Sequence, residues 1–490
     1  MQISYTTTTV SQVEADVLVV PLYDDDTTTR VPLRELDKAL DGGVADAIER
    51  GELRGNAFET SAWPSAGIAA RVLLFVGAGA RADADEDMMR RVYAAAGRVV
   101  GDRFAHVGLV LRSDAHAQAA VEGVLWGAYE PDLHKSERRP NKLESIAVAG
   151  TSKDRKRQAA ARKGVETGGV VADAVNFART LVAEPPNELT PTRLAERAQA
   201  ELKDRGVAVE VLKGAKLQRF GGLLGVAKGS DEPPVFITMS WTPSRARKSV
   251  TLGLVGKGVT FDSGGLSLKP STAMEGMKGD MAGGAAVIAA MRAIADLNVP
   301  INVRAVVPAT ENMPSGKATR VGDVIKLYSG KTAEILNTDA EGRIILHDAL
   351  AWLAEQGVTH MVDAATLTGA IVIALGDVAI GVMGRPDNWV NSVVSSARKA
   401  GERAWPLPLY REYREQISSD IADMKNIGGR NAGSITAAWF LAEAVPADLP
   451  WAHLDIAGAA WGERKPYRAP GATGAGVAAF VRLAQDMAGK

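Results

Sequence analysis

The feature that most constrains this chain is a repeated alternation of short apolar runs with longer amphipathic stretches. Strands that alternate with helices favour a mostly parallel sheet with helices on both faces. In the N-terminal part, predicted strands lie at 15–22, 72–77, 107–111 and 145–149, and predicted helices at 34–50, 85–100 and 116–129. The pattern therefore predicts an α/β fold.

Length and one long helical stretch indicate how the chain divides into domains. At 490 residues the chain is longer than a single hydrophobic core usually organises. A helical pattern covers 157–183 and stops before Pro185 and Pro186, because proline cannot donate a backbone hydrogen bond and disfavours helix in the preceding residue. We assign 1–155 to a smaller N-terminal α/β domain, 156–185 to a linker helix and 186–490 to a larger domain.

The same rhythm resumes beyond the linker. Helices are predicted at 192–205, 281–297 and 342–355, and strands at 235–239, 251–255, 301–309 and 358–363. Glycines concentrate after residue 221. Tight turns at strand ends are typical of an active site on an open α/β sheet, so we expect the chemistry in this part of the chain.

Composition excludes several classes of protein. The chain has no cysteine, which rules out disulfides, thiolate metal sites and cysteine nucleophiles, and suits a reducing compartment. Its net charge of −1 does not favour a protein that works mainly on nucleic acid or an anionic membrane. The N-terminus lacks the pattern of a signal peptide, and the apolar stretch 364–376 is shorter than the ~18 residues of a membrane span. We expect a soluble, cytoplasmic protein.

Four carboxylates and two lysines lie in three short glycine-rich segments near strand ends. These residues are Lys257, Asp262, Lys269, Asp280, Asp339 and Glu341. Carboxylates drawn into one pocket repel each other, and divalent cations supply the missing counter-charge. Asp339 and Glu341 face the same side of an extended stretch, because side chains alternate along it. The pattern predicts two metal ions about 3.5–4 Å apart, bridged by Asp262 or Glu341.

Each residue also has an ordinary structural interpretation. Asp262 precedes two glycines and is typical of a turn, while Asp280 is placed to cap the helix that follows it. Asp339 fits a helix-start motif, and Lys257 alone fits a surface lysine. Taken together in glycine-rich turns, the set favours a metal site.

Other chemistries lack their motifs. Phe261 stands where the nucleotide-binding G-x-G-x-x-G pattern needs its third glycine, and the Walker pattern is absent. The six histidines form no H-E-x-x-H pair, and no G-x-S-x-G elbow occurs. His347 falls in a predicted amphipathic helix, where we expect a packed or surface residue. Nucleotide binding and these protease classes are therefore disfavoured.

The segment 337–343, with the sequence NTDAEGR, resembles the hallmark of the leucyl aminopeptidase family, also called cytosol aminopeptidases. Ile344 replaces the leucine that usually follows it, a conservative change. The resemblance extends from about Pro185 to the C-terminus, with Glu184 where an uncharged residue is usual. It implies a smaller macro-like N-terminal α/β domain and a larger catalytic α/β domain with a central mixed sheet.

The resemblance also implies ligands for two metal ions, zinc or manganese. One site would use Lys257, as the neutral amine, with Asp262, Asp280 and Glu341. The more exchangeable site would use Asp262, Asp339 and Glu341. One ion would bind the α-amino group of a peptide and the other the scissile carbonyl. The chain would therefore remove N-terminal residues, with water activated by both ions.

Further roles follow from the same resemblance. Lys269 would stabilise the oxyanion, and Arg343 would hold a bicarbonate that shuttles the proton. Taken alone, Arg343 fits a surface residue at a helix start, but a cation there opposes the helix dipole, which favours a functional role. Met277, Thr366 and Gly369 would line a pocket for leucine, methionine and similar side chains, although Met277 also fits the core.

The resemblance further implies peptide substrates and a homohexamer. Some bacterial members of the family also bind DNA as architectural or regulatory proteins. The basic stretch 153–157, with Arg162 and Lys163, fits either a DNA contact or a solvated helix face. The near-neutral net charge disfavours DNA as the main partner. DNA binding, as a second role, is the alternative to aminopeptidase activity.

Overall fold

The computed structural model describes residues 1–489, which form two compact units. The first comprises Met1–Asn176 and Glu463–Gly471, and the second Phe177–Gly462 with the segment from Ala472 onwards. The division falls inside the helix that the sequence predicts between the domains. The limits 1–155, 156–185 and 186–490 stay a prediction.

The first unit contains one six-stranded sheet. Its strands are β1 (Gln2–Thr6), β2 (Val17–Tyr23), β3 (Thr60–Pro64), β4 (Val72–Gly79), β5 (His106–Val110) and β6 (Ser145–Ala149). Its helices are α1 (Leu33–Ala39), α2 (Gly43–Glu49), α3 (Glu86–Val100) and α4 (Ala117–Ala128), and α5 (Arg155–Ala183) leads into the second unit. The strand order is β1-β6-β5-β2-β4-β3, and all pairs are parallel except β3 with β4.

Helices cover both faces of this sheet, as predicted. Val17 and Val19 of β2 pack with residues of α3 and α4, whereas Leu18 and Val20 pack with residues of α1 and α2. Because side chains alternate along a strand, the two sets lie on opposite faces. This confirms the α/β fold class.

Two features of the first unit differ from the prediction. The single helix predicted at 34–50 is wrong, because Asp41 and Gly42 adopt left-handed backbone conformations (φ 50° and 86°) that interrupt a right-handed helix. The sequence pattern also missed β1 and β3. Both lie at the edges of the sheet and are only partly buried, so they carry little of the apolar signal of a central strand.

The second unit continues the alternation. After α5 the helices are α6 (Pro191–Leu202), α7 (Gly221–Ala227), α8 (Ser271–Met274), α9 (Ala282–Asp296), α10 (Gly342–Ala354), α11 (Gly369–Leu375), α12 (Asp387–Lys399), α13 (Gly433–Ala442) and α14 (Val477–Ala488). The strands are β7 (Ala208–Leu212), β8 (Val235–Trp241), β9 (Thr251–Gly256), β10 (Gly258–Asp262), β11 (Asn302–Asn312), β12 (Val324–Lys326), β13 (Thr332–Glu334), β14 (His360–Ala365), β15 (Ile380–Arg385), β16 (Ala404–Pro406), β17 (Met424–Lys425), β18 (Trp451–Asp455), β19 (Trp461–Gly462) and β20 (Gly471–Ala472). Short 3₁₀ helices lie at Val10–Gln12, Arg81–Asp83, Asp114–His116, Gly214–Leu217, Met277–Gly279 and Arg411–Ile417.

Nine strands of this unit form a mixed sheet, which confirms that expectation. The main order is β16-β15-β18-β14-β9-β11-β8-β7, and β10 pairs with β11. The strands β18, β14, β9 and β11 are mutually parallel, while β8 and β15 run antiparallel to their neighbours β11 and β18. A separate three-stranded sheet has the order β12-β13-β17. The predicted helices and strands of this part correspond to α6, α9, α10, β8, β9, β11 and β14.

The parallel strands of the mixed sheet bring several chain segments together at their carboxyl ends. Lys257 directly follows β9, Asn312 ends β11 and Thr366 directly follows β14. The carboxyl ends of parallel strands are where ligands bind in open α/β sheets. No helix within residues 1–489 is both long and apolar enough to cross a membrane.

Candidate metal centre

A buried lysine lies among carboxylates just beyond β9. Lys257 Nζ is 2.8 Å from Asp280 Oδ1 and 2.8 Å from Glu341 Oε1, and it donates to the Thr366 carbonyl at 3.1 Å. The three charged side chains are at most 5% exposed. Burial lowers the pKa of Lys257, but the Asp280, Glu341 and Asp262 carboxylates more than offset it and hold that pKa above its ordinary value. The interpretation of Lys257 as a surface residue is wrong.

A second lysine faces the remaining carboxylates. Lys269 Nζ lies 2.8 Å from Asp262 Oδ2 and also forms an ion pair with Asp339 Oδ1. The side chains of Lys269 and Asp339 are 15% and 31% exposed, so this half of the cluster is the more open one. Burial lowers the pKa of Lys269, and the two carboxylates reverse that effect and raise it.

Burial and mutual repulsion perturb the pKa values of the carboxylates in this cluster. Burial, followed by Glu341, raises the pKa of Asp262 to about 6 in spite of both lysines. Burial also raises the pKa of Asp280 well above its ordinary value. Burial acts in the same direction on Glu341, but Lys257 outweighs it and lowers the pKa of that carboxyl. Only two lysines form ion pairs with the four carboxylates of the cluster. Their positive charge therefore does not balance the negative charge of four ionised carboxylates.

These residues fit divalent cations. Asp262, Asp280 and Glu341 each offer a carboxylate oxygen within 4.8 Å of the other two. Asp280 Oδ2 is buried and has no hydrogen-bond partner among residues 1–489. Carboxylate oxygens with one amine nitrogen form a donor set that zinc and manganese both accept. A bound cation would coordinate the unpaired Asp280 Oδ2 and supply the positive charge that the two lysines do not provide.

Glycines let these side chains approach. A Cβ on Gly342, the first residue of α10, would lie 2.6 Å from Lys257 Cε. Gly264 has φ 88°, and a Cβ there would lie 2.5 Å from the Ser267 carbonyl oxygen and 2.9 Å from Asp339 Oδ1. Any larger residue would push the charged groups apart.

Of the structural roles considered for the three aspartates, the turn role of Asp262 is observed and the helix-capping roles of Asp280 and Asp339 are not. Asp262 makes the turn bond expected of it, since its Oδ1 accepts from the Gly264 amide at 2.8 Å while its Oδ2 faces Lys269. Asp280 does not cap α9, because that helix has no side-chain cap and Asp280 bonds Lys257 and Thr366 Oγ1 instead. Asp339 does not cap α10, which also begins without a side-chain cap.

Arg343 lies in the first turn of α10 but points away from solvent. It is 8% exposed, so its interpretation as a surface residue is wrong. Its Nη1 donates to the Asn426 carbonyl at 2.8 Å, and its Nε has no partner among the described residues. Burial lowers the pKa of Arg343 to about 10, although Glu341 and Asp455 act in the opposite direction. The guanidinium therefore keeps unused donor capacity.

A cavity of about 500 Å³ opens over these groups. Every residue that the sequence analysis placed in the site lines it: Lys257, Asp262, Lys269, Met277, Asp280, Asp339, Glu341, Arg343, Thr366 and Gly369. Val182, Leu367, Val372, Ala457, Ala460 and Trp461 line it as well, and sequence reasoning missed them. They have no motif of their own, although the position of Ala457 and Ala460 shortly after the buried strand β18 is a signal that could have been used. His347 is a packed residue, since its ring lies in the core against Ser329 and Phe440.

Comparison with known proteins identifies the chain's family. Residues 176–481 match the model of the cytosol aminopeptidase family catalytic domain, and residues 19–138 match that family's N-terminal domain. The chain belongs to the cytosol aminopeptidase family. It is a metallo-aminopeptidase, and the resemblance noted from the segment 337–343 is confirmed.

Relatives of this cytosol aminopeptidase family match over nearly the whole chain. A probable cytosol aminopeptidase of Solibacter usitatus is 45% identical and the alignment covers 99% of both chains. One of Streptomyces avermitilis is 40% identical over 99% of this chain and 98% of its own. The DNA-binding alternative finds no support in these comparisons.

Solved structures are similar too. The bottromycin maturation enzyme BotP in complex with Mn is 35% identical, with a TM-score of 0.85 over 97% of this chain and 100% of its own. A mutant of tomato leucine aminopeptidase is 31% identical, with a TM-score of 0.89 over 99% of this chain and 96% of its own. Both support the two-domain α/β fold described above.

Proposed function

We propose that this aminopeptidase releases N-terminal leucine and other apolar residues from peptides, with two divalent metal ions at the carboxylate cluster. The observation that carries the proposal is one cavity that joins four carboxylates, two lysines and a buried arginine to an apolar wall. The charged groups suit a peptide's amine and scissile carbonyl. The apolar wall suits its first side chain.

Lys257, Asp262, Asp280 and Glu341 would hold one ion, and Asp262, Asp339 and Glu341 the other. Bound divalent ions supply Lewis-acid polarisation and a more acidic water at neutral pH. A dication beside Lys257 also favours the neutral amine, which is the form that can act as a ligand. Manganese or zinc fits this donor set, and the Mn complex of BotP supports manganese.

Lys269 and Arg343 would act on the substrate and the proton. The Lys269 amine, in the more open half of the cluster, donates to the carbonyl oxygen as negative charge develops on it. Arg343 binds a bicarbonate through its unused donors, because a planar guanidinium matches a planar anion. Histidine does not occur among the cavity's described lining residues, so the bicarbonate would serve as the proton shuttle.

The specificity of the cavity would come from its wall. Met277, Thr366 and Gly369 line it together with the apolar residues Val182 and Val372. Leucine and methionine side chains bury apolar surface there. An acidic side chain would instead lose its hydration and approach a cluster that already has an excess of carboxylates.

We also propose that the chain works in the cytoplasm as a homohexamer on peptide substrates. The helix α11 and the turn after it support self-association, because Ile373 is 90% exposed and Val372 and Val378 are also exposed. Apolar side chains clustered in this way often mark protein contacts. The names of the related cytosol aminopeptidases support the compartment.

The test uses leucine-p-nitroanilide and leucyl peptides with metal-free and metal-restored enzyme. Activity should disappear with a chelator and return with Mn²⁺ or Zn²⁺. N-acetylation of the substrate should abolish turnover, because it removes the amine that one metal needs. Efficient cleavage of acetylated peptides would rule out the exopeptidase function.

A further inference from the structure

The segment that leads to Asp339 and Glu341 has little regular structure, and one buried side chain holds it in place. Asn426 follows β17 directly and is fully buried. Its Oδ1 accepts from the amides of Leu336 and Asn337 at 2.8 and 3.3 Å, and its Nδ2 donates to the Asn337 carbonyl at 2.6 Å. A single amide side chain thus binds the backbone of two consecutive residues.

The backbone of Asn426 contacts a second part of the site. Its carbonyl oxygen accepts from Arg343 Nη1 at 2.8 Å, and its amide donates to the Glu334 carbonyl at 2.9 Å. This backbone hydrogen bond to Glu334 extends the short parallel pairing of β13 with β17 by one residue. The side-chain hydrogen bonds act together with this backbone hydrogen bond to hold the Asn426 carbonyl in place.

We propose that Asn426 is a positioning residue that couples the orientation of Arg343 to the placement of Asp339 and Glu341. Its carbonyl accepts from the guanidinium Nη1, while the Arg343 Nε has no partner among the described residues. Its side chain holds the start of the segment that ends in the two carboxylates. This inference rests on the proposed function for the roles of those three residues.

Another asparagine provides a matched control. Asn302 Nδ2 donates to the carbonyls of Arg247 and Val250 at 3.0 and 3.2 Å, so Asn302→Ala also removes side-chain bonds to the backbone. Asn302 is the first residue of β11, at the end of the sheet opposite the cavity. A general loss of stability should lower Mn²⁺ affinity and kcat in the Asn302 and Asn426 variants alike. A loss of positioning should lower them only in the Asn426 variants.

The experiment compares full-length wild type, Asn426→Ala, Asn426→Asp and Asn302→Ala. Mn²⁺ binding is measured by titration calorimetry and by electron paramagnetic resonance, next to melting temperature, kcat and KM on a leucyl substrate. For both Asn426 variants, the affinity of the weaker Mn²⁺ site and kcat should each fall about 10–100-fold, as is usual when a group that orients metal ligands is lost. KM should change by less than about threefold, since the wall of the cavity is untouched.

The aspartate variant keeps the test decisive if the alanine variant does not fold. It is nearly isosteric, but it loses the donor to the Asn337 carbonyl and sets two oxygens against each other. A folded Asn426 variant whose Mn²⁺ affinity and kcat match those of Asn302→Ala would overturn the inference. If the wild type does not cleave peptides at all, the proposed function fails instead, and the Mn²⁺ titrations still decide the role of Asn426.

Discussion

The substitution Gly342→Ala separates metal binding from stability. The added Cβ would lie 2.6 Å from Lys257 Cε and 2.7 Å from its Nζ. Ordinary van der Waals contact begins at 3.4 Å, so the amine must retreat by roughly 0.7 Å. Metal–ligand distances tolerate only about 0.2 Å. Lys257 is buried between Asp280 and Glu341 and cannot yield without disturbing both ligands.

We expect Gly342→Ala to fold normally and to bind Mn²⁺ at least ~10-fold more weakly, a loss of about 1.4 kcal/mol. Alanine favours helix over glycine by up to about 1 kcal/mol, which offsets part of the ~1–3 kcal/mol that overpacking beside Lys257 costs, so the melting temperature should fall by no more than a few degrees. Gly43→Ala is the matched control, because Gly43 also begins a helix and its Cβ would meet nothing within 4 Å. Calorimetric titration with Mn²⁺ and a thermal melt measure both quantities. Wild-type Mn²⁺ affinity in Gly342→Ala would refute the reasoning.

Three other outcomes follow from the site and the core. Lys269→Ala should keep its metal content by mass spectrometry and lose about 10²–10³ in kcat, as for removal of one oxyanion donor; a metal-free Lys269→Ala enzyme would contradict this role. Added bicarbonate should stimulate degassed wild type but not Arg343→Ala, and Arg343→Lys should recover little because lysine lacks the planar fork; equal stimulation of Arg343→Ala would show that the anion binds elsewhere. Burial lowers the pKa of His347 to about 4 from 6.5, so the unfolded chain binds its proton first and this residue's contribution to stability should fall as pH drops from 6.5 to 4. His347→Gln should flatten that part of the melting-temperature profile, and an unchanged profile would contradict the assignment.

The sequence by itself determined the fold class and the chemical groups of the candidate site. Both depend on local patterns. Apolar spacing shows which face of a segment is buried, and the central strand β2 has that signal along its whole length. The chemical groups lie in short motifs, of which the segment 337–343 is one. That segment carries two of the carboxylates together with the glycine that leaves room for Lys257.

Tertiary structure decided what depends on distant segments. The edge strands β1 and β3 exist only because a partner strand lies beside them. The helix break at Asp41 and Gly42 is by contrast a local feature, at turn residues that the periodicity alone does not register. The cavity wall joins Val182 at the end of α5 to Ala460 and Trp461 far along the chain.

Asn426 shows most clearly which features local sequence cannot predict. Nothing in its local sequence marks a residue that bonds Leu336, Asn337 and Arg343. The pairing of β13 with β17 brings these groups together, across about ninety residues of intervening chain. Local patterns encode which side chains are buried. Which buried groups meet is set by how the whole chain packs, because a contact between distant segments leaves no periodic trace in either one.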